Sequence, residues 1–207
     1  MIISYCIIGI TVLTSLYAFN NPELTRKLIM NPYLVRRGQY YRFITSGFIH
    51  KDHMHLIFNM ISFYFFGTVT EELFGYIFEG WSSIYFIALY ILAIIVSDIP
   101  TFFKHQNNPG YNSLGASGGV SAIIFAFILF MPTQKICLYF ALCVPGFILG
   151  ALYLIYSYFQ GKNSRDGINH DAHLYGALFG VIFCIILYPA SINIFIQQIA
   201  DWNWDFF

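Results

Sequence analysis

Three groups of polar residues stand inside otherwise apolar stretches of the 207-residue chain, and two of them offer the residue types of nucleophilic chemistry, a serine between glycines and a histidine on a glycine face. Ser117 lies in Gly115-Ala116-Ser117-Gly118-Gly119. Glycine on both sides of a serine lets the backbone turn sharply and neighbouring groups approach closely. A hydroxyl at such a turn is available as a nucleophile, and backbone N–H groups at a helix start can stabilise an oxyanion. His173 lies seven residues before Gly180, with Gly176 between them at i+3, so all three share one helical face. Two glycines four apart let another helix close in. If that helix carries Ser117, a neutral imidazole at His173 serves as general base and then general acid. The third group, His55, Asn59 and Ser62, falls at i, i+4, i+7 as a narrow polar stripe among Leu56, Ile57, Phe58 and Phe63.

Each group also has a plainer reading. The stripe could be hydrogen-bonding glue between helices, and Gly118, Ser121 and Ala122 a surface for close helix crossing. A single membrane histidine is more often a structural hydrogen-bonder. What favours chemistry is the combination, because strongly polar groups in lipid are costly and two complementary ones sit on separate segments.

The elements that must position these residues follow from composition. Hydrophobic residues make up 58% of the chain and charged residues 10%, against roughly 25% charged in soluble domains. Such a chain cannot cover a water-facing surface, so lipid is its solvent. About six stretches reach or approach the ~20 apolar residues that span a bilayer: Ile2–Phe19, His53–Thr70, Trp81–Ser97, Ala116–Phe130, Lys135–Phe159 and Ala172–Pro189. The expected fold is an all-α polytopic membrane bundle over residues 1–189, with a short aromatic interfacial tail over 190–207 that ends in Trp202, Trp204, Phe206 and Phe207. The first stretch lacks the basic start and cleavage site of a signal peptide and reads as a retained helix. The short fourth stretch suits a helix that begins below the membrane surface, inside a protein-lined pocket.

Between the spans, Asn21-Pro22-Glu23 predicts a capped interfacial helix in the long first loop. Pro100–Leu114 reads as a flexible loop, Gln160–Asn169 as a polar one, and Met131–Gln134 as a tight turn around Pro132. Cys6, Cys137, Cys143 and Cys184 each lie in apolar surroundings without metal or disulfide spacing, and read as small membrane-core residues. The formal net charge of zero gives no case for nucleic-acid binding.

Taken in order, these motifs resemble the rhomboid family of intramembrane serine proteases over most of the chain. His55 and Asn59 are similar to the family's H-x-x-x-N pair, and Gly67, Glu71 and Gly75 to its G-x-x-x-E-x-x-x-G pattern. Gly115, Ser117 and Gly118 match the G-x-S-G nucleophile motif. Ala172, His173, Gly176 and Gly180 match A-H-x-x-G-x-x-x-G. Tyr41-Arg42 is similar to an aromatic–arginine pair in the first loop, and His50 sits where many members have another histidine.

The resemblance implies Ser117 as nucleophile and His173 as base, with no third acid and no cofactor or metal. It implies an oxyanion hole from His55, Asn59 and the backbone N–H of Ser117. Glu71 would tie the end of the second helix to its loop. The first loop would form a side wall, and the fifth helix with Gln160–Asn169 a gate and cap. His50, His53, His105 and His170 would line a water path. The implied partners are transmembrane protein substrates within the bilayer.

Two features depart from the family. Where it usually has an aromatic to stack on the base, four residues after the nucleophile, this chain has Ser121, so support for His173 is expected from Tyr175 or His170. In addition, nine of the ten Lys and Arg residues, all but Lys135, fall on the side of the first, third and fifth loops. The positive-inside rule puts that side in the cytoplasm. The family orientation opens it outward, and is the expectation here, in a bacterial inner membrane with the site facing the periplasm. The rival readings are a membrane metalloprotease built on His50, His53, His55, His170, Asp171 and His173, a rhomboid-like protein that binds or escorts membrane proteins, and a transporter. The first lacks H-E-x-x-H and the last lacks paired interrupted spans.

Overall fold

The computed structural model describes residues 1–138, 142–163 and 167–203, so Arg165, Trp204, Phe206 and Phe207 fall outside it. In lipid the backbone must satisfy its own hydrogen bonds, and the long apolar stretches do so as helices. The helices in chain order are α1 (Ile2–Phe19), α2 (Pro22–Leu28), α3 (Pro32–Arg36), α4 (Arg42–Thr45), α5 (His53–Phe78) and α6 (Ser82–His105). After α7 (Ser117–Phe130) comes a hairpin of β1 (Lys135–Leu138) and β2 (Leu142–Pro145), then α8 (Gly146–Asn163), α9 (His170–Leu187) and α10 (Ser191–Ala200). Among the described residues, Ile2–Phe19, the run His53–His105 that holds α5 and α6, and His170–Leu187 are long and apolar enough to cross a membrane. The shorter α7 is apolar as well. This is a helical membrane bundle.

The short α7 is its centre. Every residue from Gly118 to Phe130 except Ile124 is buried, because α5, α6 and α9 all pack against it. Tyr90, Phe63, Phe74, Phe86 and Ile123 fill the core, while Leu13, Phe58, Leu152 and Ile186 stay exposed on the outer face, where lipid replaces water.

The capped helix expected in the first loop is α2. Asn21 Oδ1 accepts from Leu24 N at 3.0 Å, with Pro22 in the first turn. Arg42 holds the rest of that loop together. It is buried, its guanidinium donates to the carbonyls of Arg26 (2.9 Å) and Ile29 (2.7 Å), and its Nε donates to Gln39 Oε1 (2.7 Å).

Several expectations are corrected. Helix α6 does not stop before Pro100 but runs through it to His105. The proline removes one backbone donor near the end of the helix, which neighbouring packing tolerates in a bundle. The fifth stretch is helical only from Gly146, because its start is the hairpin. There Cys137 faces Cys143 in register and the two form a disulfide, so they are not core residues like buried Cys184. Gln160–Asn163 form the last turn of α8, not a loop. The tail is helical over Ser191–Ala200, and Gln198 Nε2 ties it to the carbonyl of Phe130 at 2.9 Å.

Candidate active site

Ser117 opens α7, and the chain before it is held from three sides. Ser113 exchanges backbone hydrogen bonds with Met30, both 3.0 Å, and Gly115 N donates to Ser46 O at 3.0 Å. Ala116 N donates to His50 Nε2 at 3.4 Å. Gly115 has φ +120, and a Cβ there would lie 2.5 Å from His55 Cε1. Only glycine meets both demands. The His55 ring therefore lies against the turn that presents Ser117. As first residue of a helix, Ser117 has a backbone N–H without an intrahelical acceptor.

His50 is a strut. Its Nε2 accepts from Ala116, so Nδ1 carries the proton and donates to Ser15 Oγ at 3.0 Å, and the serine donates onward to Phe48 O at 3.1 Å. Burial pushes its pKa down to about 3. It does not line a water path, and with both ring nitrogens committed it has no lone pair for a metal.

His173 stands in the first turn of α9, where Asn169 caps the helix by accepting from Ala172 N at 3.1 Å. Asn169 is fixed in turn by α6. Its Oδ1 accepts from Thr101 Oγ1 at 3.0 Å, and its Nδ2 donates to buried Asp98 at 3.2 Å. Lys104 and Asp171 add an ion pair at 3.2 Å. One turn into α9, Gly176 rests on the backbone of Gly118, and a turn later Gly180 rests on Ala122. A Cβ at either glycine would overlap backbone atoms. The close approach expected between the two segments thus exists, and it sets the His173 turn beside the Ser117 turn.

The other expected residues divide. Asn59 is buried on the His55 helix, and its amide donates to His55 O at 2.9 Å, which leaves its second N–H for another acceptor. Glu71 and Arg42 lie apart from this cluster. Glu71 does not tie α5 to its own loop. Its carboxylate accepts from Ile3 N (3.0 Å) and Ser4 N (2.8 Å), capping the start of α1.

The residue missing from the expectation is Tyr153 of α8. Its hydroxyl is 2.8 Å from Ser121 Oγ, and its ring is stacked on His173 with centroids 6.3 Å apart and planes 18° apart. His170 contributes an edge contact at 5.8 Å, whereas Tyr175 is exposed. A sequence signal existed: Gly146, Gly150, Tyr153 and Ser157 share one face of α8. Two cavities adjoin the cluster. One of about 20 Å³, the size of one water, lies among Ser97, Asp98, Ser113, Ser117 and Asn169. The other, about 210 Å³ and mostly apolar, lies between α5, α7 and α8, lined by Ser62, Phe66, Ser121, Phe125 and Tyr153 among others.

The Rhomboid domain family matches residues 37–190, a span that holds His50, His55, Asn59, Ser117, Tyr153 and His173. The chain belongs to the rhomboid family. Among rhomboid relatives, it is 31% identical over 173 residues to RHOMBOID-like protein 12, mitochondrial, of Arabidopsis thaliana, covering 76% of this chain and 51% of the relative. It is 26% identical over 180 residues to Rhomboid-like protein 16, chloroplastic, of the same plant, covering 81% and 54%. The chain thus spans about half the length of these curated relatives. Both names are organellar, and neither supports a bacterial inner membrane; the rhomboid match and the apolar helices place the chain in a membrane.

Proposed function

We propose that this rhomboid chain is an intramembrane serine endopeptidase in which Ser117 and His173 form the dyad. The observation that carries the reading is the glycine contact between α7 and α9, which puts a serine at a helix N-terminus and a histidine one turn from the crossing. A substrate helix enters from the bilayer and unwinds locally, most easily where its residues are small or helix-breaking. The Ser117 hydroxyl attacks the scissile carbonyl as His173 takes its proton. The resulting oxyanion is met by the Ser117 N–H, the Asn59 amide and the His55 ring, donors fixed in place before the reaction. His173 then gives its proton to the leaving amine, and water hydrolyses the acyl-enzyme. The polar cavity beside Ser117 has room for such a water. The active end opens outward, the orientation the family resemblance implies.

The test is covalent labelling by a fluorophosphonate, together with cleavage of a reporter transmembrane substrate in detergent or liposomes. Wild type is labelled and cleaves. Ser117→Ala is not labelled, and neither it nor His173→Ala cleaves, although both remain folded. Retained cleavage in both variants would sink the dyad. A folded wild type that neither labels nor cleaves would leave the chain as a binding or escort protein.

A further inference from the structure

We infer that Tyr153 is the positioning residue of the general base, supplied by α8 and anchored to the nucleophile's helix through Ser121. The inference rests on the reading of His173 as that base.

Ser121 lies one turn beyond Ser117 on the same face of α7, and its hydroxyl meets the Tyr153 hydroxyl at 2.8 Å. The Tyr153 ring packs on Phe125 of α7 at 5.7 Å on one side and stacks on His173 at 6.3 Å on the other. One side chain therefore touches the helices of both dyad residues. A histidine that shuttles a proton must keep its ring plane while its charge changes, and an aromatic face held at its far end by a hydrogen bond restricts that plane. A serine at position 121 has no ring of its own to offer. It serves as the anchor for a ring that comes from elsewhere.

The dependence on α8 follows from the same geometry. Ser117 and His173 belong to helices locked at Gly118 and Gly176, whereas Tyr153 belongs to a helix with the apolar cavity of about 210 Å³ at its inner face. Its outer residues Leu152 and Ile155 are exposed. Displacement of the α8 turn that carries Tyr153 away from α7 would remove that support from His173 while the crossing of α7 and α9 stays in place.

Two readouts on the whole chain in detergent test this. The first is the rate of fluorophosphonate labelling of Ser117. The second is the rate at which diethyl pyrocarbonate modifies His173, read by mass spectrometry; it requires no catalysis. Both are measured at a temperature where melting curves show each variant folded. Tyr153→Leu removes the ring, so labelling should slow on the order of tenfold and His173 modification should accelerate. Tyr153→Phe and Ser121→Ala cut the same hydrogen bond and keep the ring. Each should slow labelling about threefold, and the double variant should be no slower than either alone. Wild-type labelling and wild-type His173 protection in these milder variants overturn the inference, even if Tyr153→Leu does not fold. A wild type that resists labelling sinks the protease reading instead, and the His173 modification rates still decide whether Tyr153 covers the ring.

Discussion

Gly176 lies on the backbone of Gly118 with no room for a side-chain carbon between them. The contact is backbone against backbone, so no flexible side chain can yield to an added methyl. Gly176→Ala and Gly180→Ala should each destabilise the fold by about 1–3 kcal/mol, the usual cost of overpacking, and should reduce labelling of Ser117. Gly9 and Gly75 have nothing within 4 Å of an added Cβ. Alanine there should leave thermal unfolding in detergent within about 0.5 kcal/mol of wild type. Equal behaviour of all four variants would refute the role of the crossing.

Arg42 should tolerate no substitute. Alanine strips the carbonyls of Arg26 and Ile29 of their charged donor, at a cost of about 1.5–3 kcal/mol. Lysine keeps the charge but cannot reproduce the fork that reaches Gln39 as well. Both variants should melt earlier and lose protection of the first loop against proteolysis, lysine less so than alanine.

Acid should loosen the peptide ahead of Ser117 through His50. Its folded pKa of about 3 lies below the ordinary 6.5, so the unfolded chain binds a proton that the folded chain refuses. The stability from neutral His50 is complete above pH 6.5 and declines as pH falls from 6.5 toward 3, by at most about 1.4 kcal/mol per pH unit. Protonation would turn the acceptor of the Ala116 N–H into a donor facing it. The groups around it, the His55 ring at 4.9 Å and Asp52, titrate in wild type and variant alike. His50→Gln should therefore flatten the decline of melting temperature between pH 6.5 and 4 by one proton relative to wild type. Parallel curves would refute the strut.

Sidedness carries its own reporter. Cys137 and Cys143 stand at the opposite end of the bundle from Ser117, joined across the hairpin by a disulfide. Whether that bond persists in a cell depends on the redox poise of the compartment. With the active end outward, the pair faces the reducing side, and thiol blocking before lysis should trap two free thiols. Recovery of the bonded pair would place the active end inward, the direction in which Arg26, Arg36, Lys51 and the other cations of that end point. Part of that charge serves the fold: Arg42 is consumed by backbone carbonyls, and Lys104 is paired with Asp171.

How far the sequence could be read depended on the range of each interaction. The apolar segments of α1, α5, α6, α7 and α9, the α2 cap and the glycine face of α9 are local patterns of length and period, and they are legible in the sequence. Pro100 reads as a helix end in the sequence, because the packing that carries α6 past it comes from other helices. The hairpin was hidden because Ile136, Cys137 and Val144 are as apolar as a helix core, and only Pro145 marks the change. Glu71 reaches α1 from 67 residues away, a partner that no local pattern names. Tyr153 likewise meets Ser121 and His173 from a distant part of the chain, although Ser121 itself marks where an aromatic support for the base is lacking.

Locking α7 to α9 makes them the fixed jaw of a vice, whose spacing no side-chain change can tune without forcing the backbones apart. If the chain cleaves transmembrane helices as proposed, adjustment to substrates of different girth falls to the other jaw, α8, which has an apolar cavity of about 210 Å³ at its inner face. Sequence variation that alters what this chain accepts should therefore gather on α8 and on the wall of α5 across from it, and leave the crossing untouched.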